Sequence, residues 1–189
     1  MVKLDVAVIG GGISGLSAAL YTGHAGLKTI VFDFNESQIK KIPEVRNYLG
    51  APKISGENLL NNFRDQIQGY AEIRKVKVEA LVKKGDLFII QADGEIYEAD
   101  RVIVATNIAT ALLESLGLEI GVNENIKSGK IKKVVGVNWE GVTSIPNLYI
   151  AGLLADVPSQ AIIAAGQGAA VGVRVAQDVT GEKYMWHDS

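Results

Sequence analysis

The apolar residues of this chain fall into three kinds of spacing, and each predicts a different element. Short apolar runs at Val6 to Ile9, Thr29 to Phe32 and Arg101 to Ala105 read as strands buried on both faces, the pattern of a parallel sheet. Ala71 to Tyr97 alternates apolar and polar residues through EIRKVKVEALV, GDLFIIQA and EIYEA. That predicts one strand and then a three-stranded antiparallel meander, with Asp93-Gly94 as a tight hairpin turn. Helical spacing follows Ser14 in an Ala/Leu-rich segment. It returns after Ser55, a suitable N-cap, where Leu59, Leu60, Phe63 and Ile67 share one face. Asn35 to Ser55 has little periodicity and predicts a long loop, a kind of segment that often carries function in compact domains.

The C-terminal half is less regular. Within Ile108 to Lys130, ALLESLGLE suggests a short helix and NENIKSG a turn. Ile131 to Val137 and Asn147 to Ala151 read as strands. The loop AGLLADVPSQ then leads into a long helix from about Pro158 to Val179, with Pro158 suited to the first turn. Ala164, Ala165, Gly166, Gly168, Ala169, Ala170 and Gly172 leave one side of this helix almost bare. Each interior glycine costs about 1 kcal/mol relative to alanine. The stripe therefore implies a very close neighbour, which could be another backbone, a flat ring, or the sheet beneath.

The strongest chemical signal lies between the first strand and the first helix. Gly10, Gly12 and Gly15 have G-x-G-x-x-G spacing, and Asp33 ends the next strand. Strand, glycine turn, helix, strand and acid are together the context that a dinucleotide fingerprint requires. Gly10 permits the tight turn, Gly12 allows a pyrophosphate to approach the backbone, and Gly15 lets helix and strands pack closely. Phosphates would face the N–H groups at the positive end of the helix. Asp33 can accept hydrogen bonds from both ribose hydroxyls and would repel a 2′-phosphate. The stretch by itself does not separate FAD from NAD. Thr106 and Asn107 lie at the C-terminal end of a predicted parallel strand, where ligands collect, and Gln38 and Asn47 offer amides from the long loop.

Composition narrows the classes. Charge is nearly balanced, with 19 Lys+Arg against 21 Asp+Glu, and no basic patch suggests a nucleic-acid partner. No apolar run reaches membrane-spanning length, and the chain enters a strand at once, so neither membrane association nor a signal peptide is expected and the cytoplasm is the expected location. Cysteine is absent, which excludes disulfides, a dithiol relay, cysteine catalysis and thiolate metal sites. His24 and His187 are the only histidines, and no cluster has metal-ligand spacing; each reads as a surface or hydrogen-bonded polar residue.

Three stretches in order resemble one family, the low-molecular-weight thioredoxin reductases among the two-dinucleotide-binding flavoproteins. They are VIGGGISGLSAALYTGHAG with Asp33, then QIKKIPEVRNYLGAPKISGENLLNNF, then TSIPNLYIAGLLADVPSQAIIAAGQGAAVG. The strand RVIVAT is similar to that family's Ile-Ala-Thr-Gly strand. The third stretch resembles the second FAD fingerprint and tips the ligand to FAD. The resemblance implies an α/β, Rossmann-like FAD-binding domain: a central parallel sheet, an antiparallel β-meander and a C-terminal helix packed on the sheet. It further implies that Gly10, Gly12, Ser14 and Gly15 hold the pyrophosphate and Asp33 the adenosine ribose, with Ile13, Phe34 and Gly152 also among the cofactor-binding residues. Val78 would reach adenine through its backbone. Gln38, Asn47 and Thr106 would line the flavin side, and Gln160 and Ala161 would point N–H groups at the flavin N1–C2=O edge, raising its reduction potential.

The departures are equally specific. The family inserts an NAD(P)H domain with Cys-x-x-Cys between the two FAD-domain pieces. Here residues 1–108 and 134–180 would form one FAD domain within 1–189, with only a connector, 109–133, between them. The family's Ala-Gly-Asp reads Ala151-Gly152-Leu153, leaving Asp156 as the candidate replacement for the missing acid. Three functions follow. The first is an FAD-dependent oxidoreductase or electron-transfer flavoprotein, reduced by NAD(P)H or a redox partner protein. The second is a non-catalytic FAD module, and the third is an NAD-binding dehydrogenase domain. The face left by the missing domain, apolar from Ile108 to Leu118, is expected to be covered by a second copy or another subunit, as a homodimer or hetero-oligomer.

Overall fold

β1 (Val2–Ile9) is the axis of the fold; the computed structural model describes residues 2–186. After β1 come α1 (Ile13–His24), β2 (Thr29–Phe32), a 3-10 turn (Gln38–Lys41), α2 (Gly56–Gln66), β3 (Glu72–Arg74), β4 (Val78–Lys84), β5 (Leu87–Ala92) and β6 (Glu95–Val104). Then follow α3 (Ala111–Ser115), β7 (Ile120–Val122), β8 (Lys132–Val134), β9 (Leu148–Ile150), a second 3-10 turn (Gly152–Ala155) and α4 (Ala161–Thr180). Five strands are parallel, in the order β3-β2-β1-β6-β9. β5 and β4 extend the sheet as the antiparallel meander.

β6 corrects the expectation of two strands. EIYEA and RVIVA are one continuous strand, whose first half pairs with β5 and whose second half pairs with β9, while β1 lies along its other edge. The polar pair Asp100-Arg101 looks like a break in the sequence, but both residues are only partly exposed and the ladder runs through them. The Asp93-Gly94 turn forms as expected, with both residues at positive φ, 49° and 71°.

Alternate residues of the apolar runs enter opposite cores. Leu4, Ile30, Phe32, Val102 and Val104 join one with Phe88, Tyr97 and Leu148. Val6, Val8, Val31 and Ile103 join the other with Leu16 of α1, Leu60 of α2, and Val171 and Val175 of α4. The bare stripe of α4 is explained by a backbone. A Cβ on Gly168 would lie 2.1 Å from the Ser14 carbonyl oxygen, and one on Gly172 would lie 2.6 Å from that of Ala18. α4 thus lies against α1 as well as over the sheet. It begins at Ala161, three residues later than expected, because Gln160 is extended (φ −131°, ψ 133°). It ends at Gly181, a left-handed C-cap with φ 72°.

The strands expected over 131–137 and 147–151 are shorter, three residues each, and β8 pairs with β7, which no alternation announced. The expected apolar face from Ile108 to Leu118 is not a surface. Leu113 and Leu118 are buried against the core, Leu112 and Leu116 are partly buried against it, and Ile108 alone of these is 52% exposed. His24 is partly buried, stacked on Trp186 with ring centroids 3.7 Å apart and hydrogen-bonded to the Tyr184 hydroxyl. His187 lies outside the described residues. Among the described residues, no helix is long and apolar enough to cross a membrane.

Candidate functional site

At two positions around the turn after β1, only glycine fits. Gly10 has φ 117°, and its Cβ would sit 2.4 Å from the Ala105 carbonyl oxygen at the end of β6. A Cβ on Gly15 would sit 1.9 Å from the Gly10 carbonyl oxygen. Gly12 differs, since its nearest neighbour would be the Ser37 Oγ at 3.3 Å. It therefore leaves room where a ligand would approach. α1 starts directly after it with no side-chain cap, and its first helical bond runs from the Leu16 N–H to the Gly12 carbonyl. Gly11, Ile13 and Ser14 are buried. An uncapped, largely buried helix N-terminus suits an anion, because its N–H groups and dipole point to one place.

Asp33 lies beside this turn, 3% exposed, and a Cβ on Gly11 would strike its carboxyl carbon at 2.3 Å. Its Oδ1 accepts the Asn35 N–H (2.7 Å), and its Oδ2 accepts from Nη2 of Arg64 on α2 (2.9 Å). A carboxylate offers about four lone-pair positions, so these two bonds leave acceptor positions on it unused. Phe34, next to it, is 52% exposed, with the Lys77 ammonium 5.7 Å from its ring centre. Val78 follows at the start of β4, with its side chain in the core and Ala92 of β5 as its partner in the ladder.

The two halves of the site meet at Gly152. Its φ is 80°, and a Cβ there would lie 2.6 Å from the Ser14 Oγ. The Gly152 N–H donates to Oε1 of fully buried Gln167 (2.7 Å), whose Nε2 donates to the Trp139 and Ile150 carbonyls at 3.2 and 3.3 Å. Asn47 of the long loop donates to the Gln160 side chain at 2.5 Å, which ties that loop to the start of α4. α4, like α1, has no side-chain cap, and Ala161 is its first residue. Thr106, next to Ala105 against Gly10, donates through its hydroxyl to the Ala109 carbonyl (2.6 Å). Gln38 opens its 3-10 turn exposed. Beside Asn47, burial pushes the Tyr48 phenol up.

Four contributors escaped the sequence reading. Arg64 is one and Gln167 another. The third is Asn123, fully buried, whose amide donates to the Leu153 and Val157 carbonyls at 2.9 and 3.2 Å and so clamps the loop before α4. The fourth is Lys133, bonded to the Asp156 carboxylate at 2.7 Å, while Asn125 holds the other Asp156 oxygen at 3.2 Å. Asp156, the candidate replacement for the missing acid, is thus engaged by Asn125 and Lys133. Polar residues in irregular segments have no period to mark them; only the tertiary pairing does. Replacing Gln167 by Leu should lower stability by about 2–3 kcal/mol, since it strands one buried N–H and two carbonyls. A urea melt checks this, and an unchanged midpoint would contradict the bonding described.

The profile of the family described as pyridine nucleotide-disulphide oxidoreductase matches residues 4–107, more than half of the chain. The chain belongs to that family. Thioredoxin reductase of Borreliella burgdorferi is 32% identical over 116 residues, 59% of this chain and 36% of that protein. Ferredoxin–NADP reductase 1 of Listeria welshimeri is 31% identical over 160 residues, 75% of this chain and 48% of that protein. This member of the family thus spans between a third and a half of those relatives. In fold it is similar to the structure of a thioredoxin reductase from Gloeobacter violaceus, with a TM-score of 0.79 at 18% identity, covering 100% of this chain and 99% of that one. The Rossmann-like α/β arrangement with its C-terminal helix is therefore that of thioredoxin reductase structures.

Proposed function

We propose that the chain is an FAD-binding oxidoreductase or electron-transfer unit related to thioredoxin reductase, reduced by an external donor. The observation that carries this reading is the close approach of Gly152 to Ser14, which sets the C-terminal segment leading into α4 against the nucleotide turn, with α1 and α4 both starting without a side-chain cap. A dinucleotide with a pyrophosphate in the middle and a ring system that gains negative charge on reduction uses both ends; NAD would use only one. On this reading residues 1–108 and 134–180 form the FAD domain, and 109–133 replaces an inserted domain with a hairpin.

FAD, when bound, would supply a reversible two-electron acceptor. The chain's own residues do the rest. Gly12 to Gly15 hold the pyrophosphate, and Asp33 holds the ribose. The N–H groups from Ala161 onward face the pyrimidine edge of the flavin and favour its reduced form. With no cysteine in the chain, electrons leave for NAD(P), a redox partner protein or another acceptor that meets the flavin directly. Leu153, buried where the resemblance places an acid, favours the second reading, a passive FAD module.

The purified protein should be yellow, and extraction should release one FAD per chain by mass. Anaerobic mixing with NADH or NADPH should bleach it. A colourless protein that takes up no FAD on titration would overturn the proposal. A yellow protein that no nicotinamide or protein donor bleaches would establish the passive module instead.

A further inference from the structure

Arg64 belongs to no motif of the sequence, yet its guanidinium is the most constrained cation near the nucleotide turn. Its side chain is 19% exposed, and it reaches from the last turn of α2 to three acceptors. Nη2 donates to Asp33 Oδ2 and to Asn35 Oδ1, both at 2.9 Å, and Nη1 donates to Asn61 Oδ1 at 3.2 Å. Lys40 donates to the same Asn35 oxygen at 3.1 Å. Asn35 in turn donates its N–H to Asp33 Oδ1. Both oxygens of the ribose-binding acid are thus held, one by its own loop and one by α2. The Nε–H of Arg64 is buried without an acceptor among the described residues.

We infer that Arg64 is a positioning residue for ribose recognition, resting on the reading that Asp33 takes the adenosine ribose. A carboxylate at the end of a strand can rotate about its side-chain bonds. The planar guanidinium, tied to Asn35 and Asn61, stops that rotation and leaves the remaining lone pairs fixed for the diol. The support is preorganisation, as when a metal-bound histidine is held by an outer carboxylate. Arg64 therefore sets how strongly the site distinguishes a ribose from a deoxyribose, and not only how stable α2 is.

The probes are ADP and 2′-deoxy-ADP, titrated by calorimetry into nucleotide-free protein. Wild type should bind ADP more tightly than its deoxy analogue. Arg64→Met should weaken ADP by roughly ten- to hundredfold and the deoxy analogue by much less, so the discrimination collapses. Equal weakening of both ligands, or of neither, would overturn the proposal, because a purely structural arginine moves both together. If Arg64→Met does not fold, Arg64→Lys carries the test: one ammonium keeps the charge but cannot span three acceptors. Its discrimination should fall at least several-fold, and retention of the wild-type ratio would overturn the proposal. A wild type that binds neither ADP nor FAD would sink the nucleotide reading itself, a failure distinct from that of Arg64.

Discussion

Asp33→Ala should weaken nucleotide binding and also destabilise the fold by about 3 kcal/mol, the low end of the range for removing one partner of a buried ion pair. The low end applies because Arg64 keeps 19% of its side chain in solvent. Two consequences separate. The lost carboxylate removes the acceptors for the ribose, which weakens FAD without touching the pyrophosphate turn. The stranded guanidinium, already holding one unpaired N–H, has lost its only anionic partner among the described residues. For a chain of this size about 3 kcal/mol corresponds to a melting point lower by roughly 6–12 °C. Asp33→Asn, which retains one acceptor and the shape, should recover part of the stability but little of the ribose binding. Thermal melts with and without FAD check both parts. A variant that melts like wild type and still saturates with FAD would remove Asp33 from the site.

The unequal legibility of this site follows from how far apart its parts lie in the chain. The turn from Gly10 to Gly15 and the acid at Asp33 belong to one strand–helix–strand unit, where spacing alone carries the geometry. Asp33 and Arg64 are 31 residues apart, and Asn123 and Leu153 are 30 apart. Such pairs form only when the fold brings α2 against the end of β2, or residues 109–133 against the loop before α4. No periodicity announces them. The same limit explains β6. Local pattern splits Glu95–Val104 at Asp100-Arg101, whereas the strand is continuous because β1 pairs with it from Tyr97 to Val104. It also explains the α3 segment, whose leucines look like an open face until the core receives Leu113.

Gly168→Val and Gly166→Ala test whether the bare stripe of α4 has one role or two. In the sequence the two glycines are alike, two positions apart on the same helix. In the fold they differ completely. A Cβ at 168 would lie 2.1 Å from the Ser14 carbonyl oxygen and 2.7 Å from its Cα, and neither atom can yield without moving the backbone of α1. A Cβ at 166 would have no neighbour within 4 Å. Gly168→Val should therefore cost more than about 3 kcal/mol, beyond the usual overpacking range, because the obstacle is backbone. It should also lower FAD occupancy, since Ser14 sits in the nucleotide turn and touches Gly152. Gly166→Ala should instead stabilise the protein by about 0.5–1 kcal/mol, the helix-propensity gain alone. Urea melts of both variants, with flavin absorbance recorded on the same samples, decide the matter. If the two substitutions had equal effects, α4 would not pack on α1 as described, and the seating of the C-terminal segment against the nucleotide turn would fall with it.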